Sequence, residues 1–223
     1  KRQSLFDGHD AAINVMRRLI QSAGAEVIHL GHDQSAKAVV DCAIQEDAHG
    51  VALTSYQGGH VEYFTYIRQL LDEAGCKHIR IFGGGGGTIT PPEIKTLHES
   101  GISKIYSPDD GRTMGLMGMI HHLMGIASEV DLIHPDRIAS LSGPVTPEDT
   151  AKVGLLLTMS ESADDKTFKS TLEKCRSSEK EVPVIGFTGT GGAGKSSLLD
   201  ELMLRILRDN PGKKVCLLCV DPT

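Results

Sequence analysis

Residues 189–196 read Gly189-Thr190-Gly191-Gly192-Ala193-Gly194-Lys195-Ser196, which fits the spacing G-x-x-x-x-G-K-[ST] at every position. Glycines at Gly189, Gly191, Gly192 and Gly194, with only a methyl at Ala193, let successive backbone N–H groups converge on phosphate oxygens. Lys195 adds a point charge, and Ser196, with Ser197 beside it, a hydroxyl for magnesium. Asp221 follows the next apolar run; it stands where a side chain reaches a magnesium-bound water, or else it opens an Asp-Pro turn. A second constellation, Asp7-Gly8-His9, lies near the other end of the chain. His9 falls where a βα loop would carry a metal-binding imidazole at the carboxyl edge of a sheet, and Asp7 is near enough to hold the other ring nitrogen through Gly8. Two further strand ends carry Thr54 with Ser55 and the five glycines at 83–87. Bare backbone at Gly84, Gly85 and Gly86 suits close approach of a bulky ligand, and a large ligand spanning the strand edges fits all three places.

The remaining histidines and cysteines are less specific. His60 follows Gly58-Gly59 in a loop beside the candidate site, where ligand contact and plain solvation are both open. His121 and His122 sit in a Met-rich segment that reads as core or boundary helix, and His29, His32, His49, His78, His98 and His134 read as structural. Cys216 and Cys219 form a CxxC inside an apolar strand-like run, where alternation sends residues three apart to opposite faces; buried structural thiols are expected.

The elements that would position these groups alternate. Helices are expected over 10–20, 35–46, 61–74, 91–100 and 113–129, and strands over 26–31, 50–55, 79–82 and 102–106. Ala12, Val15, Met16, Leu19 and Ile20 form the apolar face expected of the first helix. Alternation at this spacing implies an α/β domain with a parallel sheet covered on both faces, flavodoxin-like (Rossmann-type), over residues 1–134. The residues before Asp7 are too few and too polar for the strand that should precede the first helix, so an N-terminal segment is expected to be missing, and with the central strand gone the sheet is expected to be split. Residues 135–147, with Ser142-Gly143-Pro144 and Pro147, read as a linker. Helices over 147–160 and 165–177, a strand over 183–188, the glycine loop, a helix over 196–208 and a strand over 214–220 follow, as the beginning of a P-loop NTPase domain over 148–223 that stops short of full size.

Composition sets the outer bounds. The chain has 223 residues, 39% of them hydrophobic, and a net charge of -6 without a basic cluster, which removes the usual basis for nucleic-acid binding. No apolar stretch nears the roughly 20 residues of a membrane span. Five cysteines, an odd number, and no signal-like start point to the cytoplasm.

Three stretches carry a family resemblance: Ser4-Leu5-Phe6-Asp7-Gly8-His9-Asp10, the run from Ser55 to Phe64, and Phe82 with its five glycines, Thr88 and Ile89. They resemble the cobalamin-binding domain of acyl-CoA mutases. The P-loop with its downstream Val220-Asp221-Pro222-Thr223 resembles the GTPase chaperone of the methylmalonyl-CoA mutase accessory type, and the order is that of acyl-CoA mutases in which both domains share a polypeptide with a mutase barrel. The resemblance implies adenosylcobalamin, GTP and Mg as cofactors, with His9 as lower axial ligand of cobalt and Asp7 bonded to its other nitrogen. Ser55 and the loop 83–87 would line the slot taken by the displaced nucleotide tail. Two positions depart from the family pattern: Ala12 replaces the glycine of Asp-x-His-x-x-Gly, and Gln57 stands where Ser-x-Leu is usual. The implied activity is that of an isomerase: homolysis of the cobalt–carbon bond, then rearrangement of isobutyryl-CoA to n-butyryl-CoA on a mutase domain outside this sequence. The GTPase would gate cofactor loading. A homodimer is the expected assembly. The rival readings are a stand-alone cobalamin-binding GTPase chaperone or carrier, and a P-loop NTPase with a flavodoxin-like regulatory domain.

Overall fold

The computed structural model describes residues 2–3, 10–32, 34–56, 58–146, 148–176 and 182–220. The chain divides into two compact units, Lys1–Ser178 and Glu179–Thr223. In the first, β1 (Arg2–Gln3), β2 (Gly50–Thr54), β3 (Arg80–Gly84) and β4 (Lys104–Tyr106) form a parallel sheet in the order β1-β2-β3-β4. Around it run α1 (Asp10–Ser22), α2 (Ala36–Gln45), α3 (His60–Glu73), α4 (Pro91–Glu99) and α5 (Pro108–Ser128). Val51, Leu53, Ile81 and Ile105 pack with α2, α3 and α4, whose Val39, Phe64, Ile67, Leu71 and Leu97 are buried with them. Phe82 serves the opposite face, near Leu123 of α5. Helices thus cover both faces, as the alternation predicts.

Local sequence explains where the helices start. Ser35 caps α2 by accepting from the Ala38 N–H at 3.2 Å. Thr90 and Ser107 open α4 and α5 with reciprocal capping boxes to Glu93 and Asp110, each followed by proline in the first turn. Burial opposes ionisation of Asp110, but the Ser107 backbone N–H and Lys104, 3.0 Å away, outweigh it and hold its carboxyl below the usual range.

Several expectations are corrected. Residues 26–31 form no strand, and the first strand is present as the two-residue β1, with Arg2 paired to Leu53 and Gln3 to Thr54. A strand needs a ladder, and residues 26–31 have none among the described residues. The sheet itself is continuous rather than split. On α1 the buried residues are Ile13 and Ile20, while Val15 is exposed. The helix expected over 113–129 begins at Pro108 and kinks at Gly115, whose φ of 65° and ψ of 172° are non-helical.

The expected linker contains α6 (Pro135–Ala139), capped by His134. Then come α7 (Thr150–Ser162) and α8 (Asp165–Cys175), both in the first unit. A Cβ on Gly154 of α7 would lie 3.0 Å from the Ile44 carbonyl, so the helix packs directly on the end of α2. Beside it Asp47, at φ 44°, is buried and receives Arg137 Nη2 at 2.5 Å and the Thr158 hydroxyl at 2.9 Å, with His78 Nε2 at 3.5 Å.

In the second unit α9 (Lys195–Asp209) follows the glycine loop. The described residues 182–190 and 213–220 form no strand, contrary to the apolar pattern, and Val184, Ile185, Leu218 and Val220 are exposed. A strand is defined by its ladder, and these segments find none among the described residues. Cys216 and Cys219 are likewise exposed, not buried. Among the described residues no helix is long and apolar enough to cross a membrane.

Candidate functional site

Parallel register places the carboxyl ends of β2 and β3 side by side. Thr54 pairs with Gly84, and the Ser55 N–H donates to the Gly84 carbonyl at 2.9 Å, carrying the ladder one residue past the strands. Ser55 is fully buried at this junction. The loops that continue, residues 55–59 into α3 and 85–90 into α4, therefore leave the sheet together.

The glycine run is shaped by this closeness. A Cβ on Gly85 would lie 2.0 Å from the Ser55 carbonyl oxygen, and one on Gly83 would meet Ile105 Cδ1 at 2.6 Å and Phe64 Cε2 at 2.8 Å. Gly86 has φ +57° and the Tyr56 ring over it, 2.7 Å from where a Cβ would be. At these three positions the protein's own packing excludes a side chain. Gly84 and Gly87 are roomier, with nearest neighbours at 3.6 and 3.4 Å, and Gly58 and Gly59 face open space. Gly87 at φ +98° and Gly59 at φ +82° still need glycine for backbone reasons.

Polar groups line the same edge. The Thr54 hydroxyl oxygen is buried and has no hydrogen-bond partner among the described residues. His60, the first residue of α3, is buried, with Nε2 3.3 Å from Glu93 Oε1. The Thr90 hydroxyl and backbone N–H hold the Glu93 carboxyl below its ordinary range, with His60 adding to the effect. At the end of β4 the Tyr106 hydroxyl lies 3.0 Å from His122 Nδ1, and burial pushes its pKa up to about 12. His98, by contrast, accepts from the Ile105 N–H and is structural, as expected.

Asp7, Gly8 and His9 lie outside the described residues, as do Gln57 and Asp221. Among the described residues no group of three His, Cys, Asp or Glu could hold a metal ion. Sequence reasoning passed over Glu93 and Tyr56. The Thr-Pro-Pro-Glu spacing of residues 90–93 marks a capping box and would have singled out Glu93; nothing in the sequence marks Tyr56 as lying on Gly86.

In the second unit Gly192 and Gly194 take φ of 75° and 79°, and Gly194 is the residue from which α9 starts. Lys195 Nζ donates to the Gly189 and Thr190 carbonyls at 2.7 and 2.8 Å, so the lysine folds over its own loop. Gly191, Gly192 and Gly194 have nothing within 4 Å of an added Cβ, and Ala193, Ser196 and Ser197 are exposed at the helix N-terminus. The loop is thus open and exposed where it enters a helix N-terminus, the kind of place that suits an anionic phosphate.

Comparison with known proteins agrees with both halves. Residues 2–105 match the family model described as B12 binding domain, and residues 153–223 that of the Methylmalonyl Co-A mutase-associated GTPase MeaB. The chain is 49% identical to a fused isobutyryl-CoA mutase of Geobacillus kaustophilus (strain HTA426), a match covering 99% of this chain and 21% of that protein. It is also 49% identical to one of Nocardia farcinica (strain IFM 10152), over 99% of this chain and 20% of the relative. A 2-hydroxyisobutanoyl-CoA mutase small subunit of Aquincola tertiaricarbonis is 35% identical, over 47% of this chain and 75% of the subunit. The chain therefore spans about a fifth of the fused relatives' length. With both domain types matched in the order that the motifs indicate, the chain belongs to the B12-binding acyl-CoA mutase family that the small subunit shows, and it is similar to the fused isobutyryl-CoA mutases in joining that domain to a MeaB-type GTPase segment.

Proposed function

We propose that this stretch is the cofactor-handling part of an adenosylcobalamin-dependent acyl-CoA mutase. The observation that carries the reading is the shared edge of β2 and β3, where a buried Thr54 hydroxyl without a partner among the described residues stands beside glycine backbone. A ligand with a polar, extended tail fits such an edge. His9 would hold cobalt, with Asp7 on its second nitrogen fixing the tautomer and raising the ligand's basicity, and Gly8 between them as part of the same cofactor-binding run. Ser55, Gly84, Gly85 and Gly86 would line the slot for the nucleotide tail, with the Thr54 hydroxyl as a hydrogen-bond donor into it. When bound, the cofactor supplies a carbon radical by homolysis of its cobalt–carbon bond, which a 1,2 rearrangement between isobutyryl-CoA and n-butyryl-CoA on a separate mutase domain would use. The chain's own residues bind and orient.

The second unit would hold GTP. Backbone N–H groups of 189–194 cradle the phosphates, Lys195 leaves its carbonyl partners to meet them, and Ser196 and Asp221 serve magnesium. This GTPase would gate cofactor loading, and the active protein would be a cytoplasmic homodimer.

The test is a visible-absorption titration of the chain with adenosylcobalamin, comparing wild type with His9→Ala. The wild type is expected to give the spectrum of cobalamin with its own base displaced and histidine bound, and the variant to lack it. A folded wild type that leaves the free cofactor's spectrum unchanged sinks the cobalamin reading.

A further inference from the structure

A carboxylate, Glu93, links the starts of α3 and α4, where the two loops beside the sheet edge end. Glu93 Oε2 accepts from the Thr90 N–H at 2.7 Å and the Thr90 hydroxyl at 2.6 Å, which fixes it to the start of α4. Its other oxygen faces His60 Nε2 at 3.3 Å, at the start of α3. His60 is only 5% exposed, although it directly follows Gly58 and Gly59. Those glycines face open space, and Gly59 gives α3 no side-chain cap. Its near end is fixed by Ser55 against Gly84 and Gly85; farther out, the Thr88 hydroxyl reaches the Tyr56 carbonyl only at 3.5 Å. His60 against Glu93 links the start of α3, where this loop ends, to the start of α4, where the glycine loop ends.

We infer that His60 and Glu93 are a positioning pair that sets the separation of the loops 55–59 and 85–90, and so makes the domain select a corrinoid that carries its nucleotide tail over one that lacks it. The inference rests on the cobalamin reading and deepens it. Neither side chain needs to touch the cofactor. A slot held at fixed width spares the tail the cost of ordering two loops when it enters, and preorganisation of that kind appears as affinity for the part that fills the slot. A histidine that is merely buried and paired would support the fold without distinguishing the two ligands.

The experiment compares adenosylcobalamin with adenosylcobinamide, the same corrin and upper ligand without the nucleotide tail. Dissociation constants are read by visible absorption on the full chain, for wild type, His60→Ala, Glu93→Ala and Glu93→Gln. Wild type is expected to favour adenosylcobalamin. Each alanine variant should lose about tenfold in affinity for adenosylcobalamin and stay within about twofold for adenosylcobinamide, the pattern of lost preorganisation at the tail. Glu93→Gln, equal in length, keeps one oxygen to accept from Thr90 and turns its amide N–H toward His60 Nε2, so it should restore the preference. The Glu93 variants keep the test open if His60→Ala does not fold, because the Glu93 side chain is 37% exposed. Equal weakening toward both corrinoids, or an unchanged preference in Glu93→Ala, overturns the pair's role. A wild type that binds both corrinoids equally overturns the slot while leaving the cobalt site standing. A wild type that binds neither overturns the cobalamin reading, and the inference with it.

Discussion

Gly85 has no room for a side chain, because the atom in its way belongs to backbone. The Ser55 carbonyl oxygen would lie 2.0 Å from an alanine Cβ, and it cannot swing aside without breaking the Ser55–Gly84 ladder. Gly85→Ala is therefore expected to cost about 3 kcal/mol, at the upper end of what overpacking usually does. Gly84→Ala meets only the Tyr106 carbonyl, at 3.6 Å, and should change stability by no more than about 1 kcal/mol. Urea midpoints at constant m-value separate the two, and a Gly85→Ala chain as stable as wild type would refute the close approach. At this scale the sequence is a partial guide. Five consecutive glycines after a strand announce a bare-backbone edge, yet which of them are left open and which are closed off by Phe64, Ser55 and Tyr56 depends on sheet register. His60 shows the same limit. A loop histidine after Gly-Gly reads as solvated or ligating, and only the fold of α4 brings Glu93 to it and buries it.

Elements that recur with a period were legible, and those that depend on a partner were not. Most helices of the first unit follow from apolar spacing, but α5 starts at its Ser107-x-x-Asp110 cap, ahead of the expected 113, and α6 lies in the expected linker. The segments expected as strands over 26–31, 183–188 and 214–220 have apolar runs but no ladder among the described residues, since a strand's hydrogen bonds are made by residues distant in sequence. Residues 135–147 read as a linker because of Ser142-Gly143-Pro144, but Arg137 within α6 reaches Asp47, 90 residues earlier. That network ties α2, α6 and α7 together. Burial opposes the charge on Asp47, but His78, Arg137 and Thr158 outweigh it and lower its pKa. A carboxylate lowered in the folded state adds stability that is complete above the unfolded value, near 4, and is lost as pH falls through the folded one. Asp47→Asn keeps a residue type that tolerates φ 44° but leaves Arg137 half-buried without its counter-charge. The variant should be less stable than wild type by about 2–4 kcal/mol at pH 7, and the gap should close below pH ~4 as the wild-type carboxyl protonates. Denaturant midpoints across pH 2–8 measure this, and a gap independent of pH would assign the loss to backbone strain instead.

At the scale of the whole molecule, the two compact units differ in how they hold themselves together. The first buries Phe64, Ile67, Leu71, Ile79, Ile81 and Leu97 completely around a sheet with helices on both faces. The second presents α9 without a buried residue, and Val184, Leu218 and Val220 are 93, 86 and 85% exposed. Burial of apolar surface is the main favourable term in folding, so the cooperative unfolding of this chain should belong to the first unit alone. Removing residues 179–223 is then expected to leave the urea midpoint and m-value unchanged within error, since m scales with the surface exposed on unfolding. A marked fall in either would show that the second unit adds core of its own or stabilises the first. The same asymmetry bears on ligands. A ligand that binds only the native state raises stability by about 2.7 kcal/mol at a hundred times its Kd, and it does so only for the unit whose unfolding destroys its site. Adenosylcobalamin should therefore raise the chain's single unfolding midpoint, whereas GTP with magnesium should leave it in place even while bound. A midpoint that GTP raises as far as the corrinoid does would mean that the P-loop segment and the sheet unfold as one.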